Sequence, residues 1–413
     1  MRPTVVVLSF SPIARDPRVL RQVRLLSAVA DVVTCGYGPA PEGVTRHVEV
    51  PERLAPWRSS RVAVPVLLAL RRFDRLYFGS ERIRFVLEHL PPGSMDVVIA
   101  NDALAAPLAL ALEPRAGVHS DLHEYAPRQG ENRLVWRVLV GPLMRWACRA
   151  VRDVASVTTV AQGIAEEYRR EYGFRADVVP NATAYRADIA PTPVEYPVRL
   201  VHIGVAGRAR SLETMIDAVS LVERDAPGSV TLDVVLAPGD PTYITELRAR
   251  ADAVPGGVAR VLPPVPFDEI VPLLATYDVG VFVCPPVTFN LRHALPNKLF
   301  EFVQARLGVV VGPSPEMARV VHDHEVGVVA DGFGAQETAR ALATLTIERV
   351  ESFKAASDTA AELLSAERLS APWLRAVEDL LGAEDGTARD DGQVPAADPA
   401  PAPTADVTRE EDR

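Results

Sequence analysis

The chain has 413 residues, 48% hydrophobic and 24% charged, with a formal net charge of −10. That length exceeds one ordinary core and predicts two domains. The acidic total, without any nucleic-acid-reading motif, argues against a nucleic-acid binder, and no apolar run reaches the roughly 18 residues of a membrane span.

Val5–Leu8 is too short for a signal-peptide core. Cys35, Cys148 and Cys284 lack metal-ligand spacing and read as buried hydrophobes in a reducing compartment. The expectation is a cytoplasmic protein. Charge is uneven along it: residues 1–185 carry a net +5, residues 186–382 a net −9 and residues 383–413 a net −6. A basic front part on an acidic protein predicts an anionic partner for that part.

Short β-branched runs alternate with helical patterns. Strands are expected at Thr4–Phe10, Asp31–Cys35, Asp96–Asn101, Gly117–Leu122, Ser156–Val160 and Asp177–Val179, with helices near Arg15–Ala30, Asp102–Leu112, Arg133–Arg152 and Gln162–Glu171. A second series follows at Val198–Gly204, Val230–Ala237, Arg260–Leu262, Val279–Cys284, Val309–Val311 and Val326–Ala330. Strands apolar throughout belong to parallel sheets covered on both faces. The fold class is therefore α/β, with two doubly wound Rossmann-like domains facing a central cleft. The expected boundaries are 1–185 for an acceptor-side domain and 186–369 for a donor-binding domain, joined across Pro191, Pro193 and Pro197. A helix over 370–382 crosses back to the first domain. Residues 383–413, rich in Pro, Ala and acids, form a disordered tail.

The chemistry concentrates between Asn290 and Gly312. An apolar strand ends at Pro285-Pro286, a polar loop follows, and a helix opens near Leu295–Pro296. Helix N-termini after strands expose unpaired amides that suit anions. Lys298 and Glu301 are three apart and share a face. An ammonium there meets phosphate, and a carboxylate accepts hydrogen bonds from vicinal hydroxyls. The same residues also fit a helix start with an ion pair and no ligand. Of the 44 basic residues only Lys298 and Lys354 are lysine, so a lysine kept in this loop hints at a need for a compact ammonium.

Earlier segments add to the cleft. His123, in Ser120-Asp-Leu-His-Glu124, stands at a strand's carboxyl edge, with Asp121 or Glu124 to orient its ring; a surface polar turn remains the other reading. Asn101-Asp102 reads as a helix cap. In His202-Ile-Gly204-Val-Ala-Gly207-Arg208-Ala-Arg210, the glycines allow close backbone approach and the arginines supply charge for a diphosphate. Two Arg-rich, apolar stretches, Arg53–Glu88 and Asn132–Arg152, fit either solvated amphipathic helices or peripheral contact with an anionic membrane.

Over residues 1–380 these features resemble the GT-B-fold retaining glycosyltransferases, family 4 above all. Leu295-Pro-Asn-Lys-Leu-Phe-Glu301 is similar to that family's donor motif. The resemblance implies Glu301 on the nucleotide ribose, Lys298, Arg208 and Arg210 on the diphosphate, and His123 on the donor sugar, with His123 and Glu301 as catalytic residues. It implies Gly204, Asn290, His293, Leu295, Asn297 and Leu299 as further donor contacts. His293 occupies the place of the motif's first glutamate, and Ser9-Phe-Ser-Pro replaces the usual Gly-Gly acceptor loop. Val178-Val-Pro-Asn181 matches the turn before the linker.

The expected activity is metal-independent transfer of a hexosyl unit from a UDP- or GDP-sugar to a glycan, glycolipid or other cell-envelope acceptor, with no cofactor. Alternatives are a nucleotide-sugar 2-epimerase and a non-catalytic nucleotide-sugar-binding protein of the same fold.

Overall fold

The computed structural model describes residues 2–54 and 63–382. The predicted tail 383–413, and Trp57, Arg58 and Arg61 of the first basic stretch, lie outside the described residues.

Thirteen strands are described, in two parallel sheets. The first holds β1 (Thr4–Pro12), β2 (Asp31–Tyr37), β3 (Arg46–Glu49), β4 (Val97–Asn101), β5 (Gly117–Leu122), β6 (Ser156–Thr159) and β7 (Asp177–Val178), in the order β3-β2-β1-β4-β5-β6-β7. The second holds β8 (Val198–Val205), β9 (Val230–Ala237), β10 (Ala259–Leu262), β11 (Val279–Phe282), β12 (Gly308–Val311) and β13 (Gly327–Val329), in the order β10-β9-β8-β11-β12-β13. Both run outward from a central pair, β1–β4 and β8–β11, registered Val5 on Val97 and Val279 on Leu200. At such a switch point neighbouring crossovers diverge and leave a crevice at the strand carboxyl ends.

The central strands are buried on both faces, which is why Val5-Val-Val-Leu8 and Val279-Gly-Val-Phe282 are apolar without alternation. One apolar cluster runs from the first half (Tyr125, Ile164, Tyr168) into the second (Phe282, Leu295, Leu299). The last helix, Ala371–Gly382, returns to the first sheet. There Trp373 meets His119 edge-on at 5.9 Å between ring centroids, and Val377 joins the cluster around Val5, Val7 and Ile99.

Close packing sets the height of the helix Asn297–Gln304 over the second sheet. A Cβ on Gly280 would sit 2.3 Å from the Phe302 ring, so only glycine lets the helix settle onto β11. Of the two lysines, Lys354 is structural. Its buried ammonium donates to Thr192 Oγ1 at 2.9 Å, Tyr277 O at 3.2 Å and Asp278 Oδ1 at 3.3 Å, tying the proline-rich connection to the second sheet. Asp278 also accepts from Arg199 Nε and Nη2, so the buried charges are paired and hydrogen-bonded.

Candidate functional site

The second half's switch point carries a pair of cations. β8 ends at Gly204–Val205, and a turn through Arg208–Arg210 leads to the helix Glu213–Asp225. β11 ends at Phe282, and the loop beyond it enters the helix Asn297–Gln304. A Cβ on Gly204 would lie 3.2 Å from Lys298 Nζ and 3.3 Å from Arg210 Nη1. The absent side chain is therefore the space in which both cations converge. Lys298 is only 8% exposed, its Nζ 4.4 Å from the centroid of the Phe282 ring. Among the described residues neither cation is in a salt bridge with a carboxylate; Arg210 Nη1 reaches only Val205 O, at 3.5 Å. Burial, and then the neighbouring Arg210, bring the Lys298 ammonium down to about 8. Glu301 offsets part of this, yet a buried ammonium beside a second cation still stores repulsion that an anion relieves.

The helix they flank is open at its N-terminus. Pro296 precedes it and no side chain caps its amides. Glu301, 8% exposed and one turn from Lys298, is pushed upward by burial and drawn back by Lys298. Asn297 is exposed at the first helical position, whereas Leu295 and Leu299 enter the core. These leucines hold the loop against the sheet, leaving backbone amides as their polar offering.

Arg208 departs from its expected place. It donates to Asp240 Oδ2 at 3.1 Å and to both Glu246 oxygens at 2.7 and 2.8 Å, and it stacks over Tyr243. With its fork already taken, it is not free beside Lys298 as Arg210 is.

On the first half, His123 follows β5 and is 22% exposed. Its Nδ1 lies 3.7 Å from Asp102 Oδ1, and its buried Nε2 lies 4.0 Å from Asp121 Oδ2 without a hydrogen-bond partner. The cap reading of Asp102 is corrected. Its side chain caps nothing, and its backbone stands at φ 67°, ψ 156°, a conformation that costs a non-glycine residue about 1–3 kcal/mol. That backbone presents the carboxylate to His123. Asp121, expected to orient the ring, is committed elsewhere: it is paired with Arg18 and accepts from Gln22 Nε2 at 2.6 Å and Thr158 Oγ1 at 2.7 Å. Burial would raise the Asp121 carboxyl, but Arg18 overrides it and holds it well below the usual carboxylate range.

Asn290 and His293 make their contacts across the halves. Asn290 Oδ1 accepts from Tyr125 N at 2.8 Å, and its Nδ2 donates to Tyr125 O and Glu124 Oε2, both at 3.3 Å. The His293 ring packs on Gly163, where a Cβ would fall 1.9 Å from Nδ1. Its Nδ1 is 3.7 Å from Glu316 Oε1, which accepts from Gly163 N at 2.8 Å. Phe289 N donates to Glu131 Oε1 at 2.5 Å. The loop before Lys298 is thus clasped to the first half.

Sequence reasoning missed Arg18, which also donates to Asn181 Oδ1 at 2.8 Å. An arginine at a position of the apolar stripe Val19, Val23 and Leu26 was the available signal. Gly163 and Glu316 carried no local signal, because their partner is more than a hundred residues away in one case. Among the described residues no group of three or more His, Cys, Asp or Glu is placed to hold a metal ion.

No protein-family model and no curated protein sequence matches this chain. Solved structures do. A trehalose-phosphate synthase (UDP-forming) from Burkholderia xenovorans, in complex with glucose-6-phosphate, matches 92% of this chain and 100% of its own, with 14% identity and TM-score 0.63. Anabaena HepE in complex with UDP matches 93% and 100%, with 13% identity and TM-score 0.64. A glycosyltransferase from Rickettsia africae matches 92% and 99%, with 10% identity and TM-score 0.64. At such identities the likeness concerns architecture: the chain has the GT-B fold.

Proposed function

We propose that this protein is a glycosyltransferase that takes a hexosyl unit from a UDP- or GDP-sugar and passes it, with retention, to a saccharide or lipid-linked acceptor. One observation carries the reading. Arg210 and Lys298 converge over Gly204, without carboxylate partners among the described residues, at the switch point of the second sheet. The GT-B neighbours, two of which are described with UDP or as UDP-forming, support the nucleotide-sugar as the anion concerned.

In this account the donor diphosphate lies between the two cations and the open N-terminus of the helix Asn297–Gln304. Charge developing on the leaving phosphate is stabilised there by groups already in place. Lysine and arginine supply that charge, so the step needs no divalent cation. The Glu301 carboxylate accepts from the ribose hydroxyls. His123, steered by Asp102, holds the sugar. The acceptor hydroxyl attacks the anomeric carbon on the face the diphosphate leaves. As the new C–O bond forms and the old one breaks, the hydroxyl proton passes to the leaving phosphate oxygen. The clasp through Asn290 and His293 excludes water while this occurs. Family 4 is the subfamily this reading favours, on Leu295–Glu301 alone.

The experiment is incubation with UDP- and GDP-sugars, with and without a cell-envelope extract as acceptor, read by nucleoside diphosphate release and anomeric NMR. Acceptor-dependent release with a retained anomeric configuration supports transfer. Epimerised donor without acceptor would favour the epimerase, and an inverted product would remove the same-face step.

A further inference from the structure

A second concentration of positive charge lies outside the cleft, on the helix Gly141–Ala150 and the turn beyond it. Arg145, Arg149 and Arg152, spaced four and three apart, share one helix face. With Glu171 and Tyr172 they line a cavity of about 280 Å³, enough for a phosphate-bearing headgroup. All three guanidinium groups are exposed, and none is in a salt bridge among the described residues. Tyr172 is 9% exposed and stands on the cavity's wall. Glu171 is the one acid of the lining, and its Oε2 accepts from Tyr125 Oη at 2.6 Å. The cavity therefore offers donors in excess of acceptors.

The chain leading into this helix has the opposite character. Leu134, Val135 and Val138 are 65%, 69% and 58% exposed. The neighbouring segment Ala63–Ala69 packs against the π-turn Trp136–Val140 and adds exposed Val66 and Leu70. Of the bulky residues in that stretch, Leu143 is buried and Trp146 packs on Tyr77 at 5.2 Å between centroids, whereas Leu134 stays outside. What remains outside is an apolar tip followed by a basic stripe with a phosphate-sized cavity. A protein surface meeting an acyl layer and its anionic headgroups requires that order.

We infer that this face docks on a bilayer of anionic phospholipid, with Leu134, Val135 and Val138 entering the acyl boundary and Arg145, Arg149 and Arg152 taking headgroup phosphate in the cavity beside Tyr172. The inference goes beyond the donor cleft and uses none of its residues.

Co-sedimentation with vesicles tests it. The full chain should bind vesicles of phosphatidylcholine and phosphatidylglycerol mixed two to one, and not phosphatidylcholine alone, with binding lost at high salt. Changing Arg145, Arg149 and Arg152 together to Ala should lower the partition coefficient about a hundredfold, at about fivefold per arginine. The corresponding triple change to Lys keeps the charge and should retain binding within about fivefold, which separates lost charge from lost folding. Leu134→Ser with Val138→Ser should weaken binding without altering its dependence on phosphatidylglycerol. Glu301→Gln, aimed at the donor cleft, should bind vesicles as the unaltered protein does, so failure of the donor reading and failure of this one are distinguishable. Equal binding by the triple Ala variant, or no binding of the unaltered protein to either vesicle, would overturn the inference. So would a thermal shift with glycerol 3-phosphate unaccompanied by vesicle binding, which would make the cavity a site for a soluble phosphate.

Discussion

Raising the pH from 7 to 9 should weaken nucleoside diphosphate binding by up to about tenfold, chiefly through Lys298. In the empty cleft, burial and Arg210 bring its ammonium from 10.5 to about 8. A diphosphate between Lys298 and Arg210 favours the charged form and lifts that value. Below about pH 8 the ammonium is already present and binding takes up no proton. Above it, each binding event must first protonate the amine. The protonated fraction falls from about nine tenths at pH 7 to about one tenth at pH 9, a loss of about 1.4 kcal/mol. The nucleotide's phosphates titrate near pH 6 and stay ionised across this window. Calorimetric titration of UDP or GDP in two buffers of different ionisation enthalpy would register the uptake, about half a proton per site near pH 8. Lys298→Met should bind weakly and without the slope. Affinity independent of pH from 7 to 9, with no proton uptake, would refute the cation-pair reasoning. For the empty protein the sign is reversed. The unfolded chain holds the extra proton between about pH 8 and 10.5, so this group makes stability rise with pH over that interval.

Three further outcomes follow from the geometry. Gly163→Ala improves helix propensity by about 1 kcal/mol yet drives a Cβ into His293 across the clasp; small-angle scattering should show a larger radius of gyration with secondary structure intact, and an unchanged radius would dissolve the clasp. Asp102→Gly removes the strained φ and the carboxylate beside His123; the thermal midpoint should hold or rise while turnover falls more than nucleotide affinity, and unchanged turnover would return Asp102 to a structural role. Arg18→Ala leaves Asp121 buried without its cation and should cost about 3–5 kcal/mol in urea unfolding near neutral pH. Because the Asp121 carboxyl is depressed in the fold, that stabilisation is full above about pH 4 and wanes as the pH falls toward the depressed value; a loss that does not shrink in acid would point to packing instead.

Much of the architecture was legible because strands buried on both faces must be apolar throughout. Gly117–Leu122 and Val230–Ala237 were read to their observed ends. The edge strand Arg46–Glu49 escaped because only Val48 is buried in it, so its composition resembles a loop. The helix expected over Arg133–Arg152 is broken by a π-turn at Trp136–Val140. Pro142 lacks the amide that would bond back to Val138, and the turn widens there. In the cleft, Lys298 and Glu301 could be paired on paper because helical spacing places them on one face. The convergence of Arg210 on Lys298 depends on two strands that start 81 residues apart, at Val198 and Val279, meeting at a switch point, which no local pattern reports. Asp102 misled for a physical reason: aspartate is a favoured helix cap, and nothing in Asn101-Asp102 announces a positive φ. Asn290 and His293 look alike as loop polars, and only their partners Tyr125, Gly163 and Glu316 show what they hold.

The most direct measurement is a thermal-shift panel of UDP-, GDP-, ADP- and TDP-sugars on the unaltered protein and on Lys298→Ala. Ligand at a hundred times its Kd adds about 2.7 kcal/mol to stability. A UDP- or GDP-sugar should therefore raise the midpoint of the unaltered protein by several degrees and leave Lys298→Ala nearly unmoved. No shift with any nucleotide-sugar at millimolar concentration, or the same shift in both proteins, would contradict a donor site built on Lys298 and Arg210.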